Sequence, residues 1–117
     1  MESFHGGRLV AQALRRHSIT HGFTLCGGHI QAIYDGCVDE NIRVIDVRHA
    51  QTAGHAADVY ARITGRPGVA LVTAGPGATS VVTALANTLR AGSHWCAATE
   101  RDRPCSAIGA LFRTWTR

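Results

Sequence analysis

Val69-Ala70-Leu71-Val72-Thr73-Ala74-Gly75-Pro76-Gly77-Ala78-Thr79-Ser80 joins an unbroken apolar run to a Gly-Pro-Gly turn, and a new apolar pattern opens at Val81-Val82. A short apolar run bounded by turn residues reads as a buried strand, and this turn leads sharply into a helix. The glycines flanking Pro76 let backbone approach a neighbour closely, and the first N–H groups of the following helix have no partner within it. In an open α/β sheet, ligands sit past the carboxyl ends of strands, which makes this corner a candidate ligand wall. An ordinary strand-to-helix connection has the same sequence, so this stretch alone leaves both readings open.

Working outward, Ile42-Arg43-Val44-Ile45-Asp46-Val47 is rich in β-branched residues and reads as a second strand. Arg48-His49 then leads into a helix with Ala53, Ala56, Ala57, Tyr60 and Ile63 inward, stopped by Gly65-Arg66-Pro67-Gly68. Further upstream, Phe23-Thr24-Leu25-Cys26 is a short apolar run closed by Gly27-Gly28. Ile30, Ile33, Tyr34, Cys37 and Val38 follow it at helical spacing. Leu9, Val10, Ala13 and Leu14 form an earlier helical stripe with Arg15-Arg16 outside. Downstream, Val81, Val82, Leu85, Ala86 and Leu89 mark a fourth helix. The order α-β-α-β-α-β-α through about residue 91 predicts an α/β fold of three layers, with a parallel sheet between helices. The small residues Ala53, Ala56, Ala57, Ala84 and Ala86 suit helices lying close on a sheet. After Ser93 neither period holds, although the sheet needs another strand there; a helix over 107–112 is one option.

A chain of 117 residues has room for one domain, and no apolar run approaches the length of a membrane span. Met1-Glu2-Ser3-Phe4-His5 resembles neither a signal nor a transit peptide, so the cytoplasm is the expected location. All twelve basic residues are Arg, eight against six acids in 1–92 and four against two in 93–117. The net charge of +4 is therefore spread out with little aromatic interleaving, which argues against a nucleic-acid partner. Cys26, Cys37, Cys96 and Cys105 show no C-x-x-C spacing and read as buried free thiols. His49 and His55 are six apart and would not share a helix face, so no metal site is expected.

Three loops at strand ends carry a resemblance. They are Phe23-Thr24-Leu25-Cys26-Gly27-Gly28-His29, Asp46-Val47-Arg48-His49-Ala50-Gln51-Thr52-Ala53 and Thr73-Ala74-Gly75-Pro76-Gly77-Ala78-Thr79-Ser80. In that order they are similar to the N-terminal, pyrimidine-binding domain of thiamine-diphosphate-dependent enzymes. The acetolactate synthase-like branch, with its 2-hydroxyacyl-CoA lyases, is the nearest in look. The resemblance runs from residue 6 to about 92 and implies a six-stranded parallel sheet in the complete domain, of which three strands are recognisable here. It implies that Gly27, Gly28, Thr73, Gly75, Pro76 and Gly77 line the cofactor's pyrimidine, with His29 a candidate substrate contact. A helix-start polar residue with no catalytic part is the other reading of His29. It further implies thiamine diphosphate as cofactor, its Mg²⁺ and diphosphate being held by a different domain of a partner subunit. FAD use and substrate choice belong to parts of that architecture outside this chain.

The chain departs from the family pattern at three places. Family members read Arg-His-Glu where this sequence has Arg48-His49-Ala50. That Glu contacts a pyrimidine nitrogen and starts the proton transfer that activates the cofactor. Loss of such a group costs about 10²- to 10⁴-fold in rate. Asp46, ahead of the loop, and Asp58, two helical turns on, do not obviously replace it. Ser80 stands where Asn is usual, a mild change because Ser also serves at a helix start. The third departure is the tail, residues 93–117, beyond a partial pyrimidine-binding domain at 1–92. The family continues with Ser-Pro and two apolar residues. Joining the last base of each codon to the first two of the next, His94-Trp95 must give Leu, Trp95-Cys96 must give Val, and Ser93-His94 can give Pro. Trp115-Thr116 must give Asp in that frame. A frameshift near residue 94 of a longer gene explains the tail.

Two functions follow from the resemblance. One is a fragment of a thiamine-diphosphate synthase or lyase, acting on 2-oxo acids or 2-hydroxyacyl compounds, holding part of the pyrimidine site and inactive alone. The other is a non-catalytic partner of a full-length relative or of a second copy. An unrelated nucleotide-binding domain is the weakest reading, because Gly75-Pro76-Gly77 is not G-x-G-x-x-G and no Gly-Lys-Ser/Thr loop is present.

Overall fold

The computed structural model describes residues 6–99 and 112–113. Its elements run α1 (Gly6–Arg16), β1 (His21–Thr24), α2 (Gln31–Asp39), β2 (Arg43–Asp46), α3 (Ala50–Thr64), β3 (Gly68–Val72), α4 (Pro76–Ala91), β4 (Trp95–Thr99) and β5 (Phe112–Arg113). A 3₁₀ turn, Gly28–Ile30, feeds α2. The sheet order is β2-β1-β3-β4-β5. The first four strands are parallel, and β5 adds an antiparallel edge by pairing Arg113 with Cys96 and Phe112 with Ala97.

All five residues of β3 are buried, as the continuous apolar run Gly68–Val72 requires of a strand covered on both faces. Val69 and Leu71 join one cluster with Ala11, Ile30, Ile33 and Cys37 from the α1–α2 layer. Ala70 and Val72 join the other, with Ala53 and Ala57 from α3 and Val81 and Ala84 from α4. This is the three-layer α/β/α arrangement expected from the element order.

Several inward assignments shift. Leu9, Val38, Ile63, Val82 and Leu89 are exposed, and Ile63 is 79% exposed. Small residues take the inner places instead. A Cβ on Gly7 would stand 2.3 Å from the Ala32 carbonyl carbon, and one on Gly36 would stand 2.9 Å from the Ala11 Cβ. Helices α1 and α2 therefore cross nearly backbone to backbone, and that contact turns Leu9 outward. Likewise Gly54 of α3 lies against Ala84 of α4. Of the small residues, Ala53, Ala57 and Ala84 are fully buried, whereas Ala86 is exposed. The thiols also divide: Cys37 is buried, Cys96 is partly buried, and Cys26 is exposed because β1 ends at Thr24, two residues earlier than the apolar run suggests. Cys105 and residues 107–111 lie outside the described residues, and Phe112 is in a strand.

The segment after Ser93 forms β4, a strand its sequence does not announce. Trp95 and Ala97 enter the α3–α4 core and Ala98 the opposite one, so it is apolar on both faces and shows no alternation. Its indole N–H and the Thr99 hydroxyl are buried with no hydrogen-bond partner among the described residues.

A buried carboxylate ties α3 to α4. Asp58 is 1% exposed and accepts two hydrogen bonds from Arg62, at 3.1 and 2.6 Å, and one from Asn87 at 3.3 Å. Arg62 also donates to Ser93 at 3.0 Å, which fixes the approach to β4. Burial alone would raise the Asp58 carboxyl, but the hydrogen bonds from Arg62 and Ser93 and the Arg62 charge together hold it below its usual range. A carboxyl lowered in the folded state stabilises above its unfolded pKa, near 3.9, and loses that contribution as pH falls through its folded value. Asp58→Ala is therefore expected to cost about 1–3 kcal/mol at pH 7, by leaving Asn87 and the half-exposed Arg62 without their shared acceptor. Urea unfolding of both proteins at pH 7 and pH 3 checks this; the gap between them should narrow at the lower pH.

Candidate functional site

Strand order places the site. The chain leaves β1 through α2 to one neighbour, β2, and returns through α3 to pair β3 on the other side of β1. After β1 the chain enters α2 on one face, and after β3 it enters α4 on the opposite face. The carboxyl ends of β1 and β3 thus flank the topological switch point, where an open α/β sheet forms its ligand crevice. The ends are level, with Thr24 opposite both Asp46 and Leu71.

Polar contacts lock this edge. Thr24 is buried, and its hydroxyl donates to the Leu71 carbonyl at 2.7 Å. That commits its proton, so Tyr34 of α2 donates to the Thr24 oxygen at 2.6 Å. Burial pushes the Tyr34 phenol above its ordinary value. Val47 N–H donates to the Thr24 carbonyl at 2.7 Å, and Cys26 N–H to the Asp46 carboxylate at 3.4 Å. Loops one and two are tethered in this way. Asp46 therefore has an organising role in the loop, while Asp58 is spent inside the α3–α4 contact.

Thr73, the first residue past β3, holds the first and third loops together. A Cβ on Gly27 would lie 2.6 Å from the Thr73 Cβ, and one on Gly77 would lie 2.9 Å from its Cγ2. Only glycine allows that approach. Gly75 has φ +71° and ψ −119°, a conformation that L side chains rarely adopt, and it turns the chain into α4 with Pro76 in the first helical turn. Gly28 and Gly75 differ from Gly27: nothing lies within 4 Å of where either Cβ would be, and both are exposed. They leave bare backbone open beside the crevice. Pro76 is exposed and Gly77 buried. His29 sits in the 3₁₀ turn at the head of α2, and its side chain lies outside the described residues.

The second loop opens α3. His49 is the N-cap, its backbone extended and its Nδ1 accepting from Gln51 N–H at 3.2 Å. Ala50 follows at the first helical position, 4% exposed and packed into the core with Ala53, Ala57 and Val81. The start of α3 thus carries a buried methyl group. Sequence reasoning named the loop glycines and Ala50. It missed the Tyr34–Thr24–Leu71 chain and the Cys26–Asp46 tether, because a Thr within an apolar run and a Tyr on a helix face carry no spacing that pairs them.

Residues 4–95 match the family described as thiamine pyrophosphate enzyme, N-terminal TPP binding domain. The chain is 51% identical over 85 residues to an acetolactate synthase large subunit from Mycobacterium tuberculosis, covering 73% of this chain and 16% of that protein. It is 53% identical over 88 residues to 2-hydroxyacyl-CoA lyase 2 of Xenopus laevis, covering 75% of this chain and 14% of the relative. For 2-hydroxyacyl-CoA lyase 2 of Homo sapiens the values are 52% over 89 residues, 76% and 14%. The chain thus spans about one-sixth or less of the length of the curated relatives it matches.

The glycine contacts separate packing from ligand approach. Gly27→Ala is expected to cost about 1–3 kcal/mol, because its Cβ must displace Thr73. Gly28→Ala, into open space, should stay within about 0.5 kcal/mol of the parent. Chemical denaturation of the two variants side by side checks the contrast.

Proposed function

The chain belongs to the thiamine pyrophosphate enzymes through their N-terminal TPP binding domain, and on that premise we propose that it is an inactive part of an acetolactate synthase-like enzyme. It carries one wall of the pyrimidine pocket and lacks the group that would activate the cofactor. The observation that carries this reading is the meeting of the three loops at the switch point with Ala50, not an acid, at the start of α3.

The residues present suit a flat ring in shape. Gly27 and Gly77 close on Thr73 to make a tight wall, and Gly28 and Gly75 leave backbone open to a ligand. These four, with Thr73 and Pro76, would hold the pyrimidine of thiamine diphosphate. When bound, that cofactor supplies a nucleophilic carbon for making or breaking carbon–carbon bonds beside a carbonyl. What this chain cannot do is move the proton that prepares it: the Ala50 methyl neither accepts nor donates, and His49 Nδ1 is occupied as the helix cap. Binding of the diphosphate and Mg²⁺, choice of a 2-oxo acid or a 2-hydroxyacyl substrate, and any FAD belong to the remainder of such an enzyme.

The tail belongs to the same reading. The family match ends at residue 95, and the Trp95 indole N–H, at that last matched position, and the Thr99 hydroxyl beyond it are buried with no hydrogen-bond partner among the described residues. Buried polar atoms without partners are few in native cores. Both observations support a frameshift near residue 94, with 1–92 a partial pyrimidine-binding domain and 93–117 foreign to it.

A second reading, a non-catalytic partner of a full-length relative or of a second copy, draws on exposed apolar side chains. Val59 and Ile63 lie one turn apart on α3, and Val82 and Leu89 two turns apart on α4, each 50–79% exposed. Helices α3 and α4 pack together, which sets the two stripes on one layer. Family members are typically oligomeric, and such stripes suit an interface. No described helix is long and apolar enough to cross a membrane, and a cytoplasmic location agrees with the rest of the reading.

Calorimetric titration of the chain with thiamine diphosphate and Mg²⁺ is expected to show no micromolar binding, and assays with 2-oxo acids no turnover. A micromolar dissociation constant would overturn the fragment reading. Co-purification with a full-length relative would favour the partner role. Reading the coding DNA through Ser93 tests the tail, since a stop soon after it in the alternative frame removes the frameshift.

A further inference from the structure

At the end of the sheet opposite the Gly-Pro-Gly corner lies a second cleft, of about 630 Å³. It forms where the turn from α1 into β1 meets the turn from α3 into β3. The strands between the two ends put about 13 Å of sheet between this cleft and the pyrimidine loops, at four residues of β1. Arg15, His17, Ser18 and Thr20 line it from the first turn, and Arg66 from the second. Since α1 and α3 cover opposite faces of the sheet, the cleft spans the sheet's end and both layers frame it.

Its walls are fixed by backbone. Ser18 has φ +60°, with its N–H bonded to the Arg15 carbonyl at 2.9 Å and Ile19 N–H to the Leu14 carbonyl at 3.1 Å. On the other side, Gly65 N–H bonds to the Ala61 carbonyl at 3.0 Å. Both turns are thus closed helix ends, and side chains from both line the one cleft.

The charge in the cleft is unbalanced. No carboxylate among the described residues lines it. Among the described residues, Arg8 is paired with Asp39 and Arg62 with Asp58, whereas neither Arg15 nor Arg66 has a carboxylate partner. Basic side chains at a helix end ordinarily offset the helix dipole. Each of the two helix ends here contributes only about half a negative charge, against one full positive charge from each guanidinium. The surplus is positive, and it faces a concave space with a hydroxyl at Ser18.

We propose that this cleft is a binding site for a phosphate group, held between the guanidinium groups of Arg15 and Arg66. Guanidinium forks match phosphate oxygens in geometry and form charge-assisted hydrogen bonds. The site stands apart from the pyrimidine loops, so it holds whether or not those loops bind cofactor. The phosphate comes either free or as the monoester of a small metabolite, and the chemistry in the cleft is the same for both.

The test is an NMR titration of the full chain with inorganic phosphate and, separately, with glycerol phosphate, each at constant ionic strength against chloride. Saturable shifts of the amides at 15–20 and 65–67 are expected with phosphate and not with chloride. Arg15→Gln and Arg66→Gln should each weaken binding about tenfold, while Arg90→Gln, an exposed arginine on α4, should leave it unchanged. Both cleft arginines are exposed, so the Gln variants keep the fold, and far-UV circular dichroism verifies that. Tighter binding of glycerol phosphate identifies an ester ligand, and equal binding identifies free phosphate. The proposal falls if chloride gives the same shifts, if the cleft variants titrate like the parent, or if Arg90→Gln weakens binding equally.

Discussion

Strand β3 has no face to give to water. Val69 and Leu71 on one side and Ala70 and Val72 on the other are each at most 1% exposed, so the strand persists only with helices over both faces. That constraint propagates. Parallel neighbours need crossover helices, α2 and α3 supply them on opposite faces, and the chain must pass from β2 over β1 to reach β3. The switch point between β1 and β3 is a consequence of that route, and the three loops meet there because their strands end level. Thr73 stands between Gly27 and Gly77 because it is the residue that first leaves the fully buried strand. The site takes its place from the core.

The same core absorbs position 50. Ala50 packs with Ala53, Ala57 and Val81, and its methyl group contributes ordinary apolar burial. A carboxylate at so enclosed a helix start would be desolvated, which raises its pKa and costs stability while suiting it to proton transfer. An Ala at this position sets the balance toward packing. The backbone features of the corner, the His49 cap and the Gly75 turn among them, therefore stand beside a methyl group at the start of α3. Persistence of the loops in sequence therefore says that their backbone geometry is retained, and says nothing of turnover.

What could be read in the sequence followed from what its patterns encode. The helix and strand periods mark α1 to α4 and β1 to β3, and the order of three loops marks the site. The inner face of each helix was less legible, because hydropathy points to large apolar residues while the closest contacts use small ones. Gly7, Gly36 and Gly54 are inside, and Leu9, Val38 and Ile63 are outside, for that reason. Asp58 illustrates the converse: a charged residue on a helix reads as solvated, yet Arg62 one turn on and Asn87 on the next helix make its burial tolerable. Cys26 was misplaced by two residues of strand length, which moved its thiol from core to loop. The link from Tyr34 through Thr24 to Leu71 needs the register of three elements and leaves no trace in local spacing.

Strand β4 separates the levels at which a segment can fit a fold. Its backbone pairs with β3 along the full length from Gly68–Trp95 to Val72–Thr99, and backbone pairing is nearly blind to side chains. Its apolar content meets the coarser demand that a strand between two helical layers be dry. The finest demand, that each buried polar atom find a partner, is the one it fails among the described residues, at the Trp95 indole and the Thr99 hydroxyl. A segment selected for this slot satisfies all three demands together. One not selected for it meets the first two whenever it happens to be extended and apolar, and meets the third only by coincidence. The failure therefore falls at the end of the stretch that matches the family, at its last residue and again four residues on.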